Sequence, residues 1–288
     1  MQSKLSIIIA FVTLRVPSAW SVLLPLEARD GSGGLASDTR PSESILWDSG
    51  SGPIYKDVAQ GQTGDCWLDA ASASVAYADQ AHLKKIVVDG FNMKGSVTVT
   101  LYDGNTPYPQ TVIKPDSITY SNKETLAYSQ KQGAPFVWPA VMEEGFKSFA
   151  KQRPDTKIAP TLNGGTIASS LAAMYGSTIT YYSIADTSDD KLWALWLKVA
   201  TKPTTSSSMD TKSTMMADGL PGAHAYSAIR CDRNKGMVTL RNPWGKVSQN
   251  SAGLSNNGGK GVTGRGDGVF DTTFADWKTY FVDIAAVA

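Results

Sequence analysis

The sequence is poor in the residues that most often carry metal, disulfide or proton chemistry. It holds only two cysteines, Cys66 and Cys231, and two histidines, His82 and His224, in 288 residues. Two cysteines cannot staple a disulfide-dense scaffold. No two of these four residues stand at the close spacing of a zinc site. A dominant charge sign is also missing: 27 basic against 26 acidic side chains leave +1, which removes the electrostatic case for a nucleic-acid partner. The Asn-x-Ser/Thr acceptor for glycans is absent. No stretch is long and apolar enough to span a bilayer, so no membrane anchor is expected in the mature chain. What is present is material for a core. An apolar fraction of 42% with eight tryptophans argues against disorder. At about 100–200 residues per domain, the length suits one or two domains.

The N-terminus reads as an address. In residues 1–21, Lys4 precedes an apolar run from Leu5 to Leu14, and Ala19 and Ser21 offer small residues for cleavage. That is the pattern of a secretory signal peptide, and it predicts a secreted or lumenal protein. Residues 22–50 contain GSGG and SDTRPSES and read as a flexible spacer or propeptide.

The remainder divides by periodicity. Cys66 to Ala78 is Ala-dense with apolar residues at helical spacing, and Asp65 before it suits an N-cap. Val97, Val99 and Leu101 alternate ahead of Asp103-Gly104-Asn105, which predicts a hairpin. Residues 137–151 form a second helix, with Val141, Gly145, Phe146 and Phe149 on one face and Pro139 in its first turn. Residues 166–175 form a short helix ended by Gly176. From residue 177 the pattern turns to strands, interrupted by a helical run at 191–200 and a polar stretch at 201–218 expected to be an exposed loop. The expected fold class is α+β, with a helical subdomain over 51–176 and a β-rich one over 177–288.

Chemistry concentrates in AQGQTGDCWLDAAS, residues 59–72. Gly61 and Gly64 turn the chain into a helix whose first turn holds Cys66. The positive end of that helix and its unpaired N–H groups favour a thiolate, so a lowered pKa is expected. The same N–H groups can receive an oxyanion, and the Gln60 amide can add a donor. A nucleophile needs a base. His224 lies at the entry to an apolar strand, whereas His82 lies between alanine and lysines. Asn242, in LRNPWG, can accept the His224 N–H and fix its tautomer, with Trp244 covering the bond. Each residue alone also has a plain reading: a buried small hydrophobe, a core or surface histidine, a turn asparagine.

Together these segments resemble the calpain family. QGQTGDCWLDAAS is similar to its cysteine signature and WPAVMEEGF to a helix segment. GAHAYSAI is similar to its histidine motif, RNPWG to its asparagine motif, and GDGVFDTTFADWKTYF to its closing segment. The resemblance spans roughly residues 50–285, in the family's order. It implies a papain-like cysteine protease fold with Cys66 on the helical subdomain and His224 and Asn242 on the β-rich one. It implies a Cys66, His224, Asn242 triad with Gln60 at the oxyanion. Trp67, Trp244 and Gly222 would line or shield the cleft. The implied reaction is endopeptidase hydrolysis of a protein or peptide by a monomer.

The family's calcium positions are incomplete here. Asp57 matches one acidic position, but its partner falls at Phe136. In the second site a glutamate is replaced near Ser248, and Asp267-Gly268-Val269 keeps one carboxylate of two. A calcium ion takes 6–8 oxygens, so weak or absent calcium dependence is expected, with no required cofactor and Asp57 and Asp267 as weak candidates. Cys231 is expected to be an inert buried thiol. The alternative is a non-catalytic calpain-fold protein that binds a peptide or protein partner. A transglutaminase-type acyltransferase is disfavoured, because Asn242 stands where that chemistry normally uses Asp.

Overall fold

The computed structural model describes residues 46–47, 49–61, 63–89, 96–113, 136–209, 220–247, 263–264 and 267–288. The signal segment and most of the spacer lie outside these residues. The spacer's end does not behave as a spacer: Leu46 is buried, and its carbonyl accepts from the Trp138 N–H at 3.2 Å.

The first half is built on helices α1 (Cys66–Ala78) and α2 (Gln80–Ile86). A three-stranded antiparallel sheet follows, in the order β1 (Val87–Asp89), β2 (Ser96–Asp103), β3 (Thr106–Ile113). The hairpin is where the alternation placed it. Val97, Val99 and Leu101 are buried on one face, and Gly104 takes φ +55° at the first of two loop residues, a conformation that favours glycine. Helices α3 (Trp138–Gln152) and α4 (Ile167–Tyr175) close this half, the latter ended by Gly176 in the left-handed region. Gly145 of α3 lets that helix approach β2: a Cβ there would stand 2.9 Å from Val99.

The second half adds β4 (Ile179–Ser183), α5 (Asp189–Trp196), β5 (Thr204–Ser208), β6 (Ala225–Asp232) and β7 (Met237–Arg241). It ends with β8 (Thr263–Gly264), β9 (Val269–Thr273), α6 (Phe274–Tyr280) and β10 (Phe281–Val287). The strands form one antiparallel sheet of seven in the order β4-β10-β5-β6-β7-β9-β8. The polar stretch expected to be an exposed loop is in part strand β5, near the middle of this sheet, with Thr204, Thr205, Ser206 and Ser208 fully buried. The Ser206 hydroxyl finds partners inside, donating to the Asp283 carbonyl at 2.6 Å and accepting from Trp277 Nε1 at 3.1 Å, while the Thr205 hydroxyl has none. A buried hydroxyl with a partner carries little penalty, so polarity did not dictate exposure. Residues 210–219 lie outside the described ones.

The large sheet separates two cores. Period-two alternation sends Ala225 of β6 and Ala285 and Val287 of β10 toward the helices, with Trp67, Trp138 and Phe146. Tyr226, Ala228, Ile284 and Ala286 face the other way, with Trp196, Phe270 and Trp277. Helix α1 lies against β6, and Ser227 Oγ donates to the Ala70 carbonyl at 2.7 Å. Its other flank rests on residues 163–165, where a Cβ on Gly165 would sit 2.4 Å from the Trp67 ring. Gly165→Ala is therefore expected to displace Trp67 and lower stability by about 1–3 kcal/mol, read as a reduced urea midpoint with an unchanged slope.

Candidate active site

Helix α1 begins at Cys66 because the Asp65 carbonyl accepts from Leu68 N at 2.8 Å and Asp69 N at 3.0 Å. Asp65 holds the N-cap position, as its place in the sequence suggested, yet its side chain makes no cap bond. Its Oδ1 accepts instead from Gln60 Nε2 at 3.3 Å.

The Cys66 sulfur receives the backbone N–H groups of Ala225 and Trp67. Ala225 directly follows His224, so β6 brings histidine and thiol segments together. The thiol does not show the expected lowered pKa. Burial pushes it up to about 12, and the nearby carboxylates Asp65 and Asp69 act the same way, outweighing the two N–H groups. The helix-end field loses to desolvation and to two buried acids within a turn of the sulfur.

His224 is buried and held by its backbone. Its N–H donates to Ser208 Oγ at 3.1 Å, and its carbonyl accepts from Ser208 N at 2.8 Å. On the ring, Nε2 meets Asn242 Oδ1 at 2.8 Å. The asparagine's orientation follows from its other partners. Its Nδ2 donates to the Val247 carbonyl at 3.1 Å, and Oδ1 also accepts from Trp244 N at 3.0 Å. Oδ1 is thus the acceptor toward the ring, Nε2 carries the proton, and Nδ1 is the basic nitrogen. Burial lowers His224 to about 4 despite the Asn242 bond. The Trp244 ring lies 4.6 Å from the imidazole and Tyr226 stands edge-on at 5.0 Å. Trp244 thus lies against the ring that Asn242 holds.

The other candidates divide. Gln60 is near Cys66, but its Nε2 donates inward, to the Thr63 carbonyl at 2.7 Å and to Asp65. In this arrangement its amide is not presented to an oxyanion. Trp67 is a core residue rather than a cleft wall: it is 2% exposed, and Nε1 donates to the Leu162 carbonyl at 3.0 Å. Gly222 lies half-buried in the bend before His224. Asp57 Oδ2 accepts from Ile54 N at 2.9 Å and Trp138 Nε1 at 2.8 Å. Asp267 pairs with Lys56 Nζ at 3.1 Å. Cys231 is free and half-exposed at the end of β6, not the core thiol expected; it and Cys66 are both unbridged. His82 stacks on Tyr175 at 3.8 Å, a structural contact that agrees with its bland sequence context.

Sequence reasoning passed over Arg241. This fully buried residue donates through Nη2 to the Val58 carbonyl at 2.6 Å and through Nε to the Asp267 carbonyl at 3.0 Å, tying β7 to the first half of the chain. It also passed over Asp69 and Glu143, buried acids that gather with Asp65. The available signal was Asp69 itself, one charge inside an Ala-rich apolar helix, four residues after Asp65.

A cysteine opening a buried helix thus lies beside a histidine–asparagine pair on an antiparallel sheet, in an α+β fold of the papain-like class. The family model for calpain family cysteine protease matches residues 49–287, and the chain belongs to that family. It is 24% identical over 255 residues to calpain-9 of Rattus norvegicus, covering 80% of this chain and 36% of that protein. It is 24% identical over 215 residues to the calpain-1 catalytic subunit of Sus scrofa, covering 70% of this chain and 29% of that protein. Against calpain clp-1 of Caenorhabditis elegans it is 26% identical over 214 residues, 70% of this chain and 26% of that protein. The chain thus spans about a third of the length of the curated relatives it matches.

A thiol near 12 beside an imidazole near 4 makes a neutral pair at pH 7. Alkylation of Cys66 by iodoacetamide in a Cys231→Ser background is expected to rise about tenfold per pH unit between pH 6 and 9, following the thiolate fraction. Peptide mass spectrometry reads the rate. A plateau in that range would mean a preformed thiolate–imidazolium pair.

Proposed function

We propose that the chain hydrolyses internal peptide bonds through an acyl-enzyme on Cys66. His224 Nδ1 takes the thiol proton and the sulfur attacks the scissile carbonyl carbon. The imidazolium then gives that proton to the departing amine. Water, deprotonated by His224, splits the thioester and restores the thiol. The first N–H groups of α1 receive the oxyanion, with Gln60 joining them once its amide leaves Thr63 and Asp65. The observation that carries this reading is the His224–Asn242 bond, whose polarity is fixed by Val247 and which leaves Nδ1 as the basic nitrogen.

The proposal includes weak or no calcium dependence and no required cofactor. Asp57 is already engaged by two N–H donors and Asp267 by an ammonium, while Phe136 and Val269 supply no ligand. It also includes secretion of a monomeric enzyme, on the strength of the pattern in residues 1–21. No helix among the described residues is long and apolar enough to cross a membrane. A second reading, a calpain-fold protein that binds peptides without cleaving them, draws on the raised thiol and the inward-turned Gln60 amide.

The test is incubation of the full chain, reduced, with a peptidyl epoxysuccinate, with and without EGTA. We expect a covalent mass shift at Cys66 in both, absent from Cys66→Ala. No shift in either supports the binding reading, and a shift abolished by EGTA overturns calcium independence. Asn242→Ala is expected to slow labelling about tenfold to a hundredfold, because a buried donor left unpaired costs about 1–3 kcal/mol.

A further inference from the structure

We propose that the hydroxyls of Ser208 and Tyr226 clamp the Pro221 carbonyl and so fix where His224 stands, which makes both of them positioning residues for the chemistry of Cys66. Their role in the reaction rests on the peptidase reading above, whereas the clamp rests on geometry alone.

The clamp begins where the ladder between β5 and β6 changes character. Thr205, Ser206 and Ser207 pair with Ser227, Tyr226 and Ala225, so the next residues in register are Ser208 and His224. A hydrogen-bonded antiparallel pair exchanges two main-chain bonds. One runs from Ser208 N to the His224 carbonyl at 2.8 Å. The place of the other is taken by the Ser208 side chain, whose Oγ accepts from His224 N at 3.1 Å. A hydroxyl thus stands in for a strand carbonyl at the residue that carries the imidazole.

The same hydroxyl reaches back into the bend before the histidine. A serine hydroxyl has one proton and two lone pairs. One lone pair takes the His224 N–H, and the proton has the Pro221 carbonyl at 3.0 Å and the His224 carbonyl at 3.2 Å within reach. The Tyr226 hydroxyl, two residues past the histidine, donates to the Pro221 carbonyl at 2.9 Å. That oxygen has two lone pairs, one for each hydroxyl. The chain from Pro221 to Tyr226 is closed on itself through side chains, with His224 inside the loop.

Two features show that this bend needs holding. Ala223 takes φ +49°, a left-handed conformation that a residue with a Cβ keeps only where its surroundings impose it. Its N–H donates to the Met209 carbonyl at 2.9 Å, which ties it to the chain just past β5. Ser208 and Tyr226 are also fully buried, where water does not replace a lost bond. The Tyr226 ring packs on Phe270 at 5.7 Å and Phe281 at 5.2 Å and stands edge-on to the imidazole at 5.0 Å. Asn242 therefore sets the tautomer and rotation of the ring, while Ser208 and Tyr226 set the main chain from which it projects. A misplacement of about 1 Å in a reacting group can cost about a hundredfold in rate.

The test compares two reagents for Cys66 on the full chain, reduced, in a Cys231→Ser background. A peptidyl epoxysuccinate needs a proton from His224 on the opening ring as the sulfur attacks, whereas iodoacetamide needs only the thiolate. Ser208→Ala is expected to lower the limiting rate of epoxysuccinate labelling about tenfold and Tyr226→Phe about threefold, with the half-saturating concentration unchanged. Ser208→Thr keeps the hydroxyl and should label at the wild-type rate. Iodoacetamide alkylation at mildly alkaline pH should match wild type in all three, since a merely loosened fold would bare the thiol and speed it. Wild-type labelling by both Ser208→Ala and Tyr226→Phe overturns the clamp. So does equal loss in Ser208→Thr and Ser208→Ala, or a faster iodoacetamide reaction accompanying the loss. If Ser208→Ala does not fold, Tyr226→Phe, which removes a single oxygen, decides. A wild-type chain that takes iodoacetamide but no epoxysuccinate overturns the peptidase reading instead. The clamp is then judged by proton NMR on the ring N–H of His224, identified by its absence from His224→Gln. That signal should persist in wild type and Ser208→Thr and be lost to exchange in Ser208→Ala, and its persistence there overturns the clamp.

Discussion

The seat of helix α1 against strand β6 is the contact on which the rest of the site depends. Its start presents Cys66 to the Ala225 N–H, and its middle is bound to β6 through Ser227 and Ala70. Because β6 begins one residue after His224, the packing that positions the helix also positions the histidine. The close approach has an electrostatic cost. It removes water from the sulfur and from the acids beside it, and that loss outweighs the helix-end field. Thiol and imidazole accordingly sit as neutral groups, and ionisation of the pair depends on what next enters the site.

Much of this was legible in the sequence, for physical reasons. The helix at Cys66 was readable because its alanines leave little competing signal. The hairpin was readable because valine alternation and Gly104 agree. The His224–Asn242 pairing followed from two strand ends and a scarcity of histidine. What escaped was burial of polar groups. Thr204 to Ser208 looked like solvent-facing chain, yet Ser208 holds the His224 main chain on both sides. Hydroxyls that satisfy neighbouring backbone leave no hydrophobic pattern to detect. The directions of the Gln60 amide and the Trp67 ring depend on partners such as Thr63 and Leu162 that are invisible in the local segment.

Among the described residues, Lys56 and Arg241 tie the two halves with unequal strength. Lys56 and Asp267 are 39% and 50% exposed, and a pair in that setting contributes about 0–1 kcal/mol. Arg241 is fully buried and donates a charged hydrogen bond to the Val58 carbonyl, the kind of interaction that contributes about 1.5–3 kcal/mol. Burial lowers its pKa only to about 10, so it remains charged at neutral pH. Of the two, the arginine is therefore the stronger tie.

The weaker pair adjoins the main chain of the asparagine through Asp267 and Gly268. Gly268 takes φ +78°, and a Cβ there would stand 2.5 Å from the Asn242 carbonyl. Its own carbonyl accepts from Asn242 N at 2.9 Å. Asp267 and Gly268 thus have Lys56 on one side and the main chain of the imidazole's partner on the other. A surface ion pair is screened by salt over about 8–10 Å at ordinary ionic strength. Screening of the Lys56–Asp267 pair therefore removes only a surface contribution, because Asn242 N still reaches the Gly268 carbonyl and Arg241 Nε the Asp267 carbonyl.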